Sequence, residues 1–188
     1  LALAGVLLAW FLAAKRRRWV LAGTAGLVGF CVWHWQAARP PASLTVMPLN
    51  GGMAAYFHEP GKGGAWLMDC GATNSVEFIT KPFLRAQGVN RLRALVLTHG
   101  DLRHIGGAGL IAEMFHAEQV LISPVRFRSP TYRQLTQGFE RTPNWGRKIS
   151  NGDEPGPWVV RHPSAGDRFT QADDSALVFA GSFHGTRV

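Results

Sequence analysis

Two imidazoles and a carboxylate fall within six residues, His99, Asp101 and His104, in the run His-Gly-Asp-Leu-Arg-His. They follow an apolar stretch, Ala94 to Thr98, that reads as a strand, and they precede Ile105, Gly106 and Gly107. A loop leaving the end of a strand can fold such side chains toward one cation. Imidazole nitrogen with carboxylate oxygen suits zinc or manganese, and three protein ligands leave a position open for water. Water on such an ion ionises near neutral pH and becomes a nucleophile. The bland alternative is that His and Asp after a strand are solvated and bind nothing. A bare His-x-Asp would favour that alternative, whereas the second His and the Gly-Gly pair, which lets a helix pack close, favour a metal. The expected ligands are therefore His99, Asp101 and His104, holding one ion of zinc or manganese, with no ion at all as the other outcome.

A second constellation lies between Arg126 and Lys148. Six basic residues (Arg126, Arg128, Arg133, Arg141, Arg147, Lys148) and one acid (Glu140) alternate there with Phe127, Tyr132, Phe139 and Trp145. Cations grip phosphates while aromatics stack on bases, the combination that holds single-stranded nucleic acid. A solvated face over a few core aromatics produces the same letters, so both readings stand. The remaining histidines of this part, His58, His116, His162 and His184, have no partner at ligand spacing and read as structural or solvated. Cys31 and Cys70 are too few and too distant for a disulfide framework, and Cys70 reads as a small buried thiol.

The elements that must position these groups follow from patterning. Residues 43–69 read as an antiparallel meander of three short strands broken by Asn50-Gly51-Gly52 and by a Gly-rich turn. A helical stretch near Val76 to Gln87, the strand at Ala94 to Thr98, a helix near Ala108 to Phe115 and a strand at Gln119 to Ser123 come next. Residues 124–157, rich in Pro, Arg and aromatics, read as irregular, and Trp158 to Arg161 and Ser175 to Ala180 as further strands. Strands and helices joined by short connections imply a layered α/β domain.

Residues 1–38 are a different material. They carry only four charged side chains, Lys15 to Arg18, while all twelve Asp and Glu lie from Glu59 onward. Residues 19–35 are apolar apart from Thr24 and His34, with Trp19, Trp33 and Trp35 at their ends like interfacial anchors. As a helix this segment would span roughly 26 Å, close to the hydrocarbon thickness of a bilayer. The pattern predicts two transmembrane helices joined by a tight basic loop at Lys15 to Arg18. The expected division is 1–38 membrane helices and 39–188 a folded domain. The positive-inside rule places the loop in the cytoplasm and everything after Arg39 on the opposite face. The formal charge is +8, and from Arg39 on 16 Lys and Arg face 12 Asp and Glu, a mild basic bias compatible with an anionic partner.

Thr98-His99-x-Asp101-x-x-His104-x-Gly-Gly resembles the metal motif of the metallo-β-lactamase superfamily, in the form found in the ComEC DNA-uptake family. Trp66 to Gly71, with Asp69 closing a strand, is similar to the superfamily's first motif, and His162-Pro163 with Asp173 to Val178 resembles the stretch leading into a later core strand. The resemblance implies an αββα sandwich, incomplete at the C-terminus and preceded by transmembrane helices. It implies that Asp69 orients the metal loop and shares catalytic duty with Asp101. It further implies a multi-pass protein of the bacterial inner or plasma membrane, its folded domain extracytoplasmic. That domain would contact incoming single- or double-stranded DNA and act with the rest of its own polypeptide and other uptake proteins. Arg103 departs from the pattern, standing where the family has an Asp that holds a second metal, and the later Asp and His of the family lie past Val188. Two functions follow: a metal-dependent phosphodiesterase, or a non-catalytic DNA-binding module with Arg103, Arg126, Arg128 and Arg133 on phosphates. An unrelated membrane-anchored hydrolase of the same superfamily is the third.

Overall fold

The computed structural model of the chain describes residues 2–37, 42–59, 64–141, 145–169, 171, 173–183 and 186–188. It divides into two compact units, Leu1–Pro40 and Pro41–Val188. The first is one helix, α1 (Ala2–Ala37). This corrects the expectation of two helices with a basic loop between them, because Lys15 to Arg18 are themselves helical. Lys and Arg are good helix formers, and no Gly or Pro interrupts residues 6–22, so nothing there ends a helix. The described side chains of α1, Arg16 to Trp35, are exposed on every side, including Trp19, Leu27, Phe30, Trp33 and Trp35. Among the described residues, no helix is long and apolar enough to cross a membrane.

The second unit opens with the expected meander: β1 (Ser43–Leu49), β2 (Gly52–Glu59) and β3 (Gly64–Met68) pair antiparallel. A continuous helical run follows, comprising α2 (Thr73–Ser75), a π-helical turn (Val76–Thr80) and α3 (Lys81–Ala86). The chain then alternates through β4 (Ala94–Leu97), α4 (Leu102–Ile105), α5 (Ala108–Met114), β5 (Val120–Ile122), α6 (Pro130–Arg141) and β6 (Gly146–Lys148). The strands β3, β4, β5 and β6 are mutually parallel, which gives one six-stranded sheet in the order β1-β2-β3-β4-β5-β6. A smaller antiparallel sheet holds β7 (Trp158–His162), β8 (Val178–Phe183) and β9 (Thr186–Arg187).

Period-2 geometry sorts the strand side chains between two cores. Leu67, Leu95, Leu97, Val120 and Ile122 face the helices, together with Leu84, Ile105, Ile111 and Phe139. Trp66, Ala94, Val96 and Leu121 face the other way, against Trp158, Val160 and Leu177 of the smaller sheet and its approach. All four residues of β4 are buried, as a parallel strand covered on both faces must be. The layers are therefore helices, large sheet, small sheet.

Residues 124–157 are not irregular throughout. Ser129 receives the Tyr132 amide on its Oγ at 3.3 Å and Pro130 occupies the first helical position, so α6 has both start signals. Tyr132, Thr136 and Phe139 are its buried face at i, i+4 and i+7 spacing. The strand expected from Ser175 starts later, at Val178, because Asp173–Ser175 forms a 3-10 turn.

Candidate metal centre

Asp69 follows directly on β3 with φ of 56°, a left-handed backbone uncommon for any residue but Gly. Its carboxylate holds it there. Oδ1 accepts the Thr98 amide at 2.9 Å, and Oδ2 accepts the Thr98 hydroxyl at 2.6 Å and His104 Nδ1 at 3.2 Å. A hydroxyl with its proton on a carboxylate can only accept elsewhere. Thr98 Oγ1 therefore takes a hydrogen bond from His99 Nδ1, 2.9 Å away. In its neutral form each imidazole thus carries its proton on Nδ1 and leaves Nε2 as a lone pair. Their rings lie 4.3 Å apart at 61°. One ligand atom from each of Asp69, His99 and His104 lies within 4.8 Å of the others.

Sequence reasoning named His99, Asp101 and His104 as the ligands. The structure brings the two histidines together, but the carboxylate that joins them is that of Asp69, and Asp101 is engaged elsewhere. Asp101 is the N-cap of α4, its Oδ1 accepting the Arg103 amide at 2.9 Å. The Arg103 side chain then folds back, with Nε at 3.0 Å and Nη2 at 2.6 Å from Asp101 Oδ2. These bonds hold the Asp101 carboxyl down at about 2. Arg103, which stands where the resemblance places an Asp for a second metal, closes a bidentate pair on the adjacent acid.

The electrostatics of the two imidazoles differ. Burial is the largest influence on His99 and pushes its pKa down, opposed by the charge of Asp69, so the ring is held neutral. The bond to Asp69 is the largest influence on His104 and pushes its pKa up. Two imidazole lone pairs with fixed tautomers, braced from behind by a buried carboxylate, match the way metal-binding histidines are oriented. The residues therefore fit a metal ion at the His99 and His104 imidazoles. Because both Asp69 oxygens already receive donors, its role is that of the orienting group.

The loop carrying these groups is locked at its ends. The amides of Cys70 and Gly71 both donate to the His104 carbonyl, at 2.8 and 2.7 Å, and the Gly107 amide donates to the Gly71 carbonyl at 3.0 Å. A Cβ on Gly107 would lie 2.2 Å from Val76 Cγ2, so only glycine lets α5 start this close to the helical run. Cys70 is fully buried, and burial above all pushes its thiol well up, which makes it an inert packing group.

A cleft of about 380 Å³ adjoins the centre. Gly100 and Asp101 form one border, Arg126, Phe127 and Arg128 another, and Phe169 and Asp173 a third. Asp173 Oδ1 lies 3.8 Å from His99 Nε2. Leu177, just past the 3-10 turn, donates its amide to the Thr98 carbonyl at 2.8 Å and so ties the third border to the end of β4. Of the three arginines singled out in sequence, Arg126 and Arg128 line the cleft. Arg133 sits on α6 and donates to the Arg128 carbonyl at 3.2 Å, supporting the wall from behind. The interleaved aromatics are core rather than stacking surface: Phe127, Tyr132 and Phe139 are buried, and Trp145 donates its Nε1 proton to the Ala117 carbonyl. Phe169 and Asp173 were missed as site residues, since no spacing relates them to position 99. Of the other histidines, His162 donates to the Asp174 carbonyl, His58 is half-buried beside Tyr56, His116 is exposed, and His184 lies outside the described residues.

Residues 52–173 match the metallo-beta-lactamase superfamily. Over 149 residues the chain is 27% identical to ComE operon protein 3 of Bacillus subtilis (strain 168), covering 71% of this chain and 19% of that protein. The chain thus spans about a fifth of the length of that relative. Among solved structures, a HARLDQ-motif mutant metallo-beta-lactamase from Cronobacter sakazakii superposes with a TM-score of 0.53 at 16% identity, over 80% of this chain and 60% of that one. MEM-A1, a subclass B3 metallo-beta-lactamase from a soil metagenome library, gives 0.50 at 17% identity over 78% and 57%. At these identities the structural likeness is one of fold.

Proposed function

Because this chain belongs to the metallo-β-lactamase superfamily, we propose that its folded unit holds one metal ion and contacts the phosphodiester backbone of DNA, as part of a membrane-associated uptake protein of the ComEC kind. The observation that carries this reading is the pair of Asp69-braced imidazoles opening beside a cleft walled by Arg126 and Arg128. His99 and His104 would hold the ion, as zinc or manganese, and when bound it would supply a Lewis acid at the phosphate and a route to activated water. The chain's own residues supply the rest. Asp69 and Thr98 fix the imidazole tautomers, and Arg126 and Arg128, which form no ion pair among the described residues, are free to meet phosphate oxygens.

The similarity to ComE operon protein 3 supports the competence role, and the exposed apolar surface of α1 supports membrane association. A helix presenting Trp19, Phe30, Trp33 and Trp35 outward is at home in lipid rather than water. On this proposal residues 19–35 enter the membrane through their exposed aromatics, and the folded unit lies on the extracytoplasmic face. A reporter fused after Val188 in the full chain should be active outside the cytoplasm; cytoplasmic activity would refute that orientation.

The Asp101–Arg103 pair favours a second reading, contact without cleavage, because it removes one carboxylate from the metal loop. The test uses the full chain in detergent micelles with zinc or manganese and a labelled single-stranded oligonucleotide. Binding should be salt-dependent, and replacing Arg126 and Arg128 by Ala should flatten the slope of log K against log salt by about one and a half, at about 0.7 per single-strand phosphate contact. An unchanged slope would return both arginines to a solvated surface. Metal-dependent cleavage abolished by His99→Ala selects the phosphodiesterase, and binding without cleavage selects the module.

A further inference from the structure

Phe169 is the exposed aromatic of the cleft: 39% of its surface is open, whereas Phe127 on the arginine-bearing border is 6% open and packed beneath Gly100. The Phe169 ring is backed by the His162 imidazole, 5.2 Å away at 47°, and His162 is itself anchored by its bond to the Asp174 carbonyl at 2.7 Å. An open apolar ring held from behind is costly in water and useful to a flat ligand.

The charges around it are unevenly matched. Asp101 is neutralised by Arg103, and Asp173 faces His99 at the metal end. Arg126 and Arg128 are the cations of the cleft left without an acid among the described residues. A ligand that satisfies both features carries a flat unsaturated ring and a phosphate a few bonds apart. A volume of about 380 Å³ is of the size that accepts one such unit.

Resting on the DNA-contact reading above, we propose that Phe169 selects unpaired nucleotides, one base stacking on its ring while Arg126 and Arg128 hold the flanking phosphates. Bases inside a duplex are stacked on one another and offer no free face, so this residue confers a preference for single strands. Aromatic stacking tolerates any base, and the selection is therefore for strandedness rather than sequence.

The experiment uses the full chain in detergent micelles and three fluorescent probes of about 15 nucleotides: oligo-dT, an abasic strand of equal charge, and a duplex. The wild-type protein should bind oligo-dT about tenfold more tightly than either of the others. Phe169→Ala should erase that preference while leaving affinity for the abasic strand unchanged, and Phe169→Trp should keep it. Arg126→Ala with Arg128→Ala should weaken all three probes alike. Retention of the oligo-dT preference in Phe169→Ala would overturn the stacking role and leave the DNA-contact reading in place. If Phe169→Ala loses every probe, Phe169→Trp decides: the preference kept supports the role, the preference lost overturns it. A wild-type chain that binds none of the probes would refute the DNA-contact reading itself, and this inference with it.

Discussion

Two carboxylates serve one loop and do opposite work. Asp69 is buried at 4% exposure and its oxygens receive Thr98 and His104, which orients two imidazoles toward a common point. Asp101 is half-exposed and its oxygens receive Arg103, which leaves it outside the group that converges on that point. The difference lies in what surrounds each acid. Asp69 sits at the end of a strand where its donors among the described residues are Thr98 and His104, whereas Asp101 begins a helix and meets the second residue of that helix, whose side chain is a cation. A carboxylate within a metal motif is therefore a ligand only if its neighbours leave it free.

The contrast breaks most severely at Asp69. Asp69→Asn keeps the shape but offers a donor where the Thr98 hydroxyl or His104 Nδ1 needs an acceptor, leaving a buried polar group unmatched. It should lower stability by about 2–3 kcal/mol and metal affinity by about 10- to 100-fold, measured by urea unfolding of the full chain and by zinc titration. Asp101→Asn should change metal affinity much less. Equal losses for the two variants would erase the distinction between them.

A smaller effect should separate the two acids by pH. His104 has a raised pKa in the folded state, caused first by Asp69, so its contribution is fully present below its unfolded value of about 6.5 and is lost as pH rises through the folded value. The metal-free protein should therefore lose stability as pH rises past neutrality, and His104→Gln should flatten that limb. A limb that persists in His104→Gln would assign it to another group.

Smallest is the acid limb. Asp101 titrates at about 2 when folded, against an ordinary 3.8, so its contribution is present above pH 3.8 and is lost as pH falls toward 2. Arg103→Ala removes the cause. Unfolding curves between those pH values should become less steep in Arg103→Ala, with little change in thermal midpoint at pH 7, because the pair is exposed to solvent. A large drop at pH 7 would show that Arg103 carries packing as well as charge.

Much of this arrangement was legible before any coordinates. Alternation in residues 43–69 gave the meander, the apolar run at Ala94 gave β4, and the spacing of His99 and His104 brought out the pair that converges. The bracing role of Asp69 was legible from its place at the end of a strand, but the engagement of Asp101 was not, because spacing within a loop cannot say which acid is already bonded to its neighbour. Arg103 was readable as a misfit, but its bond to Asp101 needed the N-cap geometry of α4. Helix α6 was missed although Ser129-Pro130 and the buried positions 132, 136 and 139 announce it, since the density of Pro, Arg and aromatics masked the period. The same masking made Phe127 and Tyr132 look like stacking residues, while Phe169, in a stretch with no periodicity, carried no signal. The basic tetrad at Lys15 was read as a turn from charge alone, although charged residues do not end helices.

The account stands on a single ion held by His99 and His104 with Asp69 behind them, and counting bound metal addresses this most directly. The full chain, loaded with zinc and passed through a desalting column, should carry one ion per chain by elemental analysis, and none in His99→Ala or His104→Ala. Arg103→Asp should raise the count toward two by freeing Asp101 and adding a carboxylate. Two ions per chain with Arg103 in place, or one ion that survives both histidine substitutions, would contradict it.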